Sequence, residues 1–284
     1  MTYLTQRDLV SRPRLQLPPL SCDCHAHIFG EPETYPFAEP RDYTPPPAMV
    51  PHYLAMLDTV GLARAVIVQP SVYGEDNRCT LDAVAAIGLD RARAVVAVPP
   101  RATRAELVRL HERGARGVRI IRSAPDPEFI DNLLGLACLL PDLGMHVQLN
   151  LAPGGWRELL PRLEHTGVDI VLDHIGQLTA DDLEGAAMDA LRAALERGQT
   201  WVKLAQYRGS LTGYPYRDTT PLAARLAAHA PERCLWGTDW PHPNVRHHMP
   251  DDGELVDLIA DWAPDARLRQ RILADNPARL YGFV

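Results

Sequence analysis

The sequence predicts an α/β protein folded as a (β/α)8 barrel. Three observations carry this. Eight short apolar, β-branched runs recur at fairly even spacing, helix-like stretches separate them, and neither a linker nor a change of composition interrupts the 284 residues. Strands that alternate with helices pair in parallel through crossover helices. Eight such units close naturally into one barrel of about 250 residues. The expectation is one domain over 1–284, with 1–19 as an N-terminal arm.

In chain order, the arm is rich in Pro and Arg and is placed over the barrel's N-terminal end. The first strand is LSCDCH, 20–25. The helix in PAMVPHYLAMLDTVG stops at Gly61, since glycine accepts the left-handed C-terminal position without strain. Strands follow at 64–70 and 93–99. TRAELVRLHERG opens a helix with Thr103, and Glu106 three residues later completes a capping box. Further strands lie at 117–121, 145–151, 169–175, 200–205 and 234–239. DDLEGAAMDALRAALERG reads as a helix that again stops at glycine. The tail DARLRQRILADNPARLYGFV reads as a final helix and a closing turn.

Composition removes several classes of function. No apolar run approaches the roughly 20 residues that span a bilayer, and the first residues lack the apolar segment of a signal peptide. The five cysteines, at 22, 24, 79, 138 and 234, are odd in number and mostly scattered. They point to a reducing cytoplasm rather than a disulfide framework. The formal charge is −7 with no basic block, which speaks against nucleic acid. An anionic small molecule remains, because a few converging arginines set a local field whatever the net charge. Homo-oligomerisation is left open.

In such barrels the chemistry sits at the C-terminal strand ends. Those ends supply His25 and His27, then Gln69 and Ser71, then Arg119, Asn150, His174, Arg208 and Asp239. A barrel serving only stability needs turn formers there. Alternation places Asp23, His25 and His27 on one face of their strand and Cys22 and Cys24 on the other, as packing between barrel and helices. His-x-His alone is weak evidence and is often a pair of hydrogen-bonded structural residues. With His174 and Asp239 at later strand ends the joint pattern is much stronger. Asp173 points away from His174 and reads as structural. Asp239 reads as a base in a partly dry site, against the simpler role of loop cap; burial raises its pKa and the imidazoles or arginines oppose that rise. Arg119 and Arg208 suit a carboxylate, since guanidinium binds it in two-pronged fashion. Arg116 faces away from Arg119, and Arg122 is open to either face. His247 and His248 read as a solvated loop, with His248 within reach of the mouth.

The stretches DCHAHIFG, RDYTP, VQPSVYGEDN, GARGVRI, DHIGQ, WGTDWPHPNVRHHMPDDG and DNPARLYG together resemble the amidohydrolase superfamily, and within it the 2-pyrone-4,6-dicarboxylate lactonase group. They run from 23 to 282. The resemblance implies a distorted barrel, hydrolysis of a lactone and no requirement for a divalent metal. It implies that Asp239 takes a proton from water while His25, His27 and His174 polarise the lactone carbonyl. Arg119, Arg208 and Tyr43 match substrate-binding positions, and Ser71, His242 and Asn244 are placed with them. Gln177 stands where the family has an arginine, and Asn150 where it has a tyrosine. Arg122 is the substitute for a second basic residue after the fourth strand. These departures imply a lactone with fewer anionic groups, or with hydroxyls.

His25, His27, His174 and Asp239 are also N and O donors that a single zinc could use. A cation, Arg119, at the fourth strand speaks against a second metal. No cofactor is expected, with one zinc as the alternative. The competing functions are a zinc-dependent hydrolase or decarboxylase of the same superfamily, a lactone isomerase, and a silent binder of acid metabolites.

Overall fold

The computed structural model describes residues 10–99, 101–121, 127–245 and 248–284. Eight parallel strands form one sheet in sequence order: β1 (Cys22–Ala26), β2 (Arg64–Val68), β3 (Ala92–Val96), β4 (Ala115–Ile121), β5 (His146–Asn150), β6 (Ile170–Leu172), β7 (Thr200–Lys203) and β8 (Cys234–Leu235). The crossover helices are α1 (Val50–Val60), α2 (Arg78–Ile87), α3 (Arg104–Glu112), α4 (Pro127–Ala137), α5 (Pro153–Glu164), α6 (Ala186–Arg197) and α7 (Thr220–His229). The short α8 (Asp252–Asp257) follows β8. The predicted (β/α)8 barrel is the observed one. Gly61 ends α1 at φ 83°, and Thr103 and Glu106 form both bonds of the capping box on α3. The predicted final helix is instead two helices, Ala266–Gln270 and Asn276–Tyr281, joined by a π-helical turn.

Alternation along the strands divides the core in two. Outward residues such as Ile67, Ala94, Val118, Leu149 and Leu172 pack against the helices. Inward residues Val66, Val68, Val95, Val171, Trp201 and Leu235 form a second cluster, closed below by Tyr281 and Phe283. Arg64 and Arg93 lie over the Phe283 ring and donate to Val284 O, Tyr281 O and Gly282 O, which seals the bottom of the barrel.

The barrel is irregular where β3 pairs with β4 and, closer to the mouth, in β1, which bulges against β2. Between Asp23 and Ala26, β1 advances three residues while β2 advances two. This bulge breaks the alternation and corrects the predicted faces. Cys22 and Cys24 point into the barrel, and so do His25 and His27, whose rings meet groups of the opposite strands. Asp23 alone turns outward, bonded to Tyr53 Oη and to the backbone and hydroxyl of Thr238. Bulges commonly re-aim side chains beside functional sites. The β1–β8 seam closes through Cys24 N–Trp236 O, Asp239 N–His25 O and His27 N–Trp240 O. Gly237 permits this approach, since a Cβ there would stand 2.6 Å from the His25 amide nitrogen.

The described part of the arm runs beside α8 rather than over the barrel's N-terminal end. Ser11 bonds the Asp251 carboxylate, and Arg14 and Leu15 bond Asp257. Among the described residues no helix is long and apolar enough to cross a membrane.

Candidate active site

The bulge delivers His25 and His27 to the C-terminal mouth, and the loop after β8 delivers Asp239 to face them. Asp239 Oδ1 lies 3.3 Å from His27 Nε2 and 3.6 Å from His25 Nε2. His174 completes the group, its ring centroid 4.8 Å from that of His25. All four are buried. The four residues singled out from the sequence therefore do meet.

Their backbone is strained where they meet. His174, Ile175, Gln177, Asp239, His242 and Asn244 all have φ between 48° and 67°. Each such non-glycine residue costs about 1–3 kcal/mol, and strain of this kind clusters at functional sites. The left-handed run from His174 to Gln177 ends β6 earlier than predicted and curls the chain over the mouth. It also corrects the reading of Asp173. Asp173 does not point away from the site; its Oδ1 lies 3.2 Å from His25 Nδ1, and its Oδ2 accepts from Arg119 and Gln148.

The two arginines are both engaged. Arg119 donates to Gln69 O as well as to Asp173, and its Nε has no partner. Arg208 donates through Nε to Asp239 Oδ2 at 2.5 Å and through Nη2 to Pro243 O. Arg208 is thus first the partner of Asp239, a correction to its reading as a grip for substrate alone. Tyr207 Oη donates to the same oxygen at 2.7 Å. Among the described residues Asp239 Oδ1 has no aligned hydrogen-bond partner and faces the His25 and His27 rings.

Charge states follow from burial and neighbours. Burial raises the Asp239 carboxyl, but the Arg208 guanidinium, foremost among its neighbours, outweighs it and holds it well below the ordinary range. Burial lowers all three imidazoles: His25 far, with help from Lys203, His27 less, and His174 to about 4. The resting site is a carboxylate among neutral imidazoles.

Above it opens a cavity of about 360 Å³. His27, His174 and Asp239 reach its floor, and Tyr43, Ser71, Arg119, Arg208, Asn150, Gln177 and Asn244 line it. Gln177 Nε2 donates to Asn150 Oδ1 at 2.6 Å, so these two amides form one neutral wall. His242 is not on the lining. It packs behind, edge-on to Tyr207 and 3.2 Å from Asp252. Gln69 bonds Gly74 O, Asp76 O and Thr80 and is structural. His248 lies against Tyr214. Arg122 and His247 lie outside the described residues.

Sequence reasoning missed Lys203, Gln148 and Tyr207. Lys203 is fully buried, with Nζ 2.7 Å from Gln148 Oε1 and 3.2 Å from His25 Nδ1. The signal was a lysine inside an apolar strand, in TWVKLA, with inward phase shared with Trp201.

A divalent cation fits part of this set. His25, His27 and Asp239 offer ligand atoms within 4.8 Å of one another, while His174 groups with His25 and Asp173 instead. The four donors weighed from the sequence thus fall into two overlapping triads that share His25. His25, His27 and Asp239 would hold one zinc, which when bound supplies a Lewis acid and a water of lowered pKa.

The barrel mouth thus gathers His25 and His27 at the end of β1, His174 after β6 and Asp239 after β8. The Amidohydrolase family model matches residues 22–283, and the chain belongs to that family. The 2-pyrone-4,6-dicarboxylate hydrolase of Comamonas testosteroni is 38% identical over 95% of this chain and 93% of its own. A 4-sulfomuconolactone hydrolase of Rhizobium radiobacter is 37% identical over 94% and 92%. The crystal structure of a putative 2-pyrone-4,6-dicarboxylic acid hydrolase from Pseudomonas putida superposes with a TM-score of 0.81 at 30% identity, covering 95% of this chain and 99% of that one.

Proposed function

We propose that this protein is a cytoplasmic hydrolase that opens a small carboxylated lactone formed in the breakdown of aromatic or sugar acids, without a metal ion. One observation carries the reading: a buried carboxylate oxygen, Asp239 Oδ1, stands unpaired between two neutral imidazoles at the floor of a cavity with cationic walls. Water there gives its proton to Asp239 as its oxygen bonds the lactone carbonyl carbon. Negative charge builds on the carbonyl oxygen, and fixed donors beside it lower the barrier. His174 and Arg119 line the cavity where such donors are needed. The ring C–O bond then breaks, and Asp239 returns the proton to the leaving oxygen. The product is an open-chain acid.

Arg208 and Tyr207 on Oδ2 keep Asp239 ionised and fix its aim. Arg208, Arg119 and Lys203 supply the positive charge that a metal supplies elsewhere, and this supports the metal-free reading. The neutral Asn150–Gln177 wall suits hydroxyl or carbonyl groups of the substrate. The zinc-dependent hydrolase is the second reading, favoured by the convergence of His25, His27 and Asp239. Ring opening to a carboxylic acid releases a proton near neutral pH. A panel of carboxylated lactones with a pH indicator tests the function, with metal content determined on the same sample. Turnover by protein holding far less than one metal per chain is expected. Activity that tracks bound zinc selects the second reading, and no turnover of any lactone removes both.

A further inference from the structure

We propose that Lys203 is a positioning residue: it fixes the proton of His25 on Nε2 and so makes His25, His27 and Asp239 a water-holding site with one donor and two acceptors. The use of that water rests on the lactonase reading; its geometry does not.

An ammonium has three N–H donors and no lone pair. Around Lys203 Nζ stand Gln148 Oε1 at 2.7 Å, His25 Nδ1 at 3.2 Å and Asp173 Oδ1 at 3.5 Å. A donor aimed at Nδ1 requires a bare nitrogen there. Asp173 is the competitor, because its Oδ1 also lies 3.2 Å from Nδ1 and would take a proton from it. Yet that oxygen has no aligned hydrogen-bond partner, and Asp173 is anchored through Oδ2 by Arg119 and Gln148. The aligned bond at Nδ1 is the one from Lys203. A neutral imidazole carries one proton, which therefore lies on Nε2.

His27 has the opposite tautomer. Its Nδ1 is 2.7 Å from Val68 O. A carbonyl only accepts, so the His27 proton is on Nδ1 and its Nε2 is bare. Three atoms then face one point: His25 Nε2–H, His27 Nε2 and Asp239 Oδ1. One water satisfies all three. Its oxygen accepts from His25, its two protons point to His27 and Asp239, and its remaining lone pair is free for the carbonyl carbon. With the His25 proton on Nδ1, three acceptors would face a water that has two hydrogens.

The test is a long-range ¹H–¹⁵N correlation spectrum of the full-length, ¹⁵N-histidine-labelled protein, with metal content measured on the same sample and His25 assigned through His25→Gln. Protonated Nε2 on His25 and protonated Nδ1 on His27 are expected. Protonated Nδ1 on His25 overturns the proposal, and this spectrum decides even if no Lys203 variant folds. Lys203→Met keeps the length and loses the donor. In it the His25 proton is expected to move to Nδ1 toward Asp173, and kcat to fall at least about 100-fold with KM changed less than about threefold. Unchanged His25 signals together with unchanged kcat also overturn it. If the wild-type spectrum is as expected but no lactone is turned over, the lactonase reading fails and the tautomer assignment stands.

Discussion

In the proposed reaction the chemistry turns on Asp239, and its environment makes a specific demand. One oxygen is saturated by Arg208 and Tyr207, the other is bare. Asp239→Asn keeps the shape and removes the base. A drop in kcat of at least about 10³-fold is expected, while calorimetry still detects ligand binding. Retained turnover would move the base elsewhere. The imidazoles make a second demand. With burial lowering all three imidazoles, His174 to about 4, kcat/KM is expected to show no histidine inflection at 6.5. An ascending limb near 6.5 would show that a catalytic imidazole titrates normally. His25, His27, His174 and Asp239 were legible because each sits at a strand end of a recognisable repeat. Lys203 was not, since its meaning lies in what it touches across the barrel. His242 was misread because proximity in sequence to Asp239 does not say which way a side chain turns.

At the scale of elements, β1 and β8 decide whether those residues meet. Simple alternation assigned Cys22 and Cys24 to the wrong face because it has no means of registering one extra residue in β1. The bulge is accommodated by Gly237. In Gly237→Ala the new methyl carbon meets the His25 amide nitrogen at 2.6 Å and Asp23 Oδ1 at 3.1 Å. Neither neighbour can yield without moving β1, so a loss of about 1–3 kcal/mol is expected in urea unfolding. A parallel fall in kcat is expected as the seam shifts. A variant with wild-type stability and rate would show that the seam tolerates displacement and that the bulge does not set the site. The helices were easier to read, because Gly61 and the Thr103–Glu106 pair act locally and nothing distant overrides them.

The whole molecule carries its buried imidazoles as a stability liability in acid. His25, His27, His146 and His174 all have lowered pKa values, His146 to about 3. Below about 6.5 the unfolded chain binds protons that the folded chain refuses, so stability falls with pH from there toward the folded values. Asp23 works against this, since burial raises it to about 6 and the native state takes up its proton first. Four groups outweigh one, and Tm is expected to drop between about pH 7.5 and about pH 5. A Tm that holds or rises over this interval would mean the imidazoles find counter-charges when protonated.

The barrel was legible as a whole because eight strand–helix units have essentially one way to close. Its chemistry was legible only as far as strand ends identify a mouth. On the proposed reading this mouth adds water to a lactone. The most direct measurement is turnover of a carboxylated lactone in ¹⁸O-water, read by mass spectrometry of the product. One label in the newly formed carboxylate is predicted. A rearranged lactone that carries no label would contradict the account and assign Asp239 to proton shuttling instead.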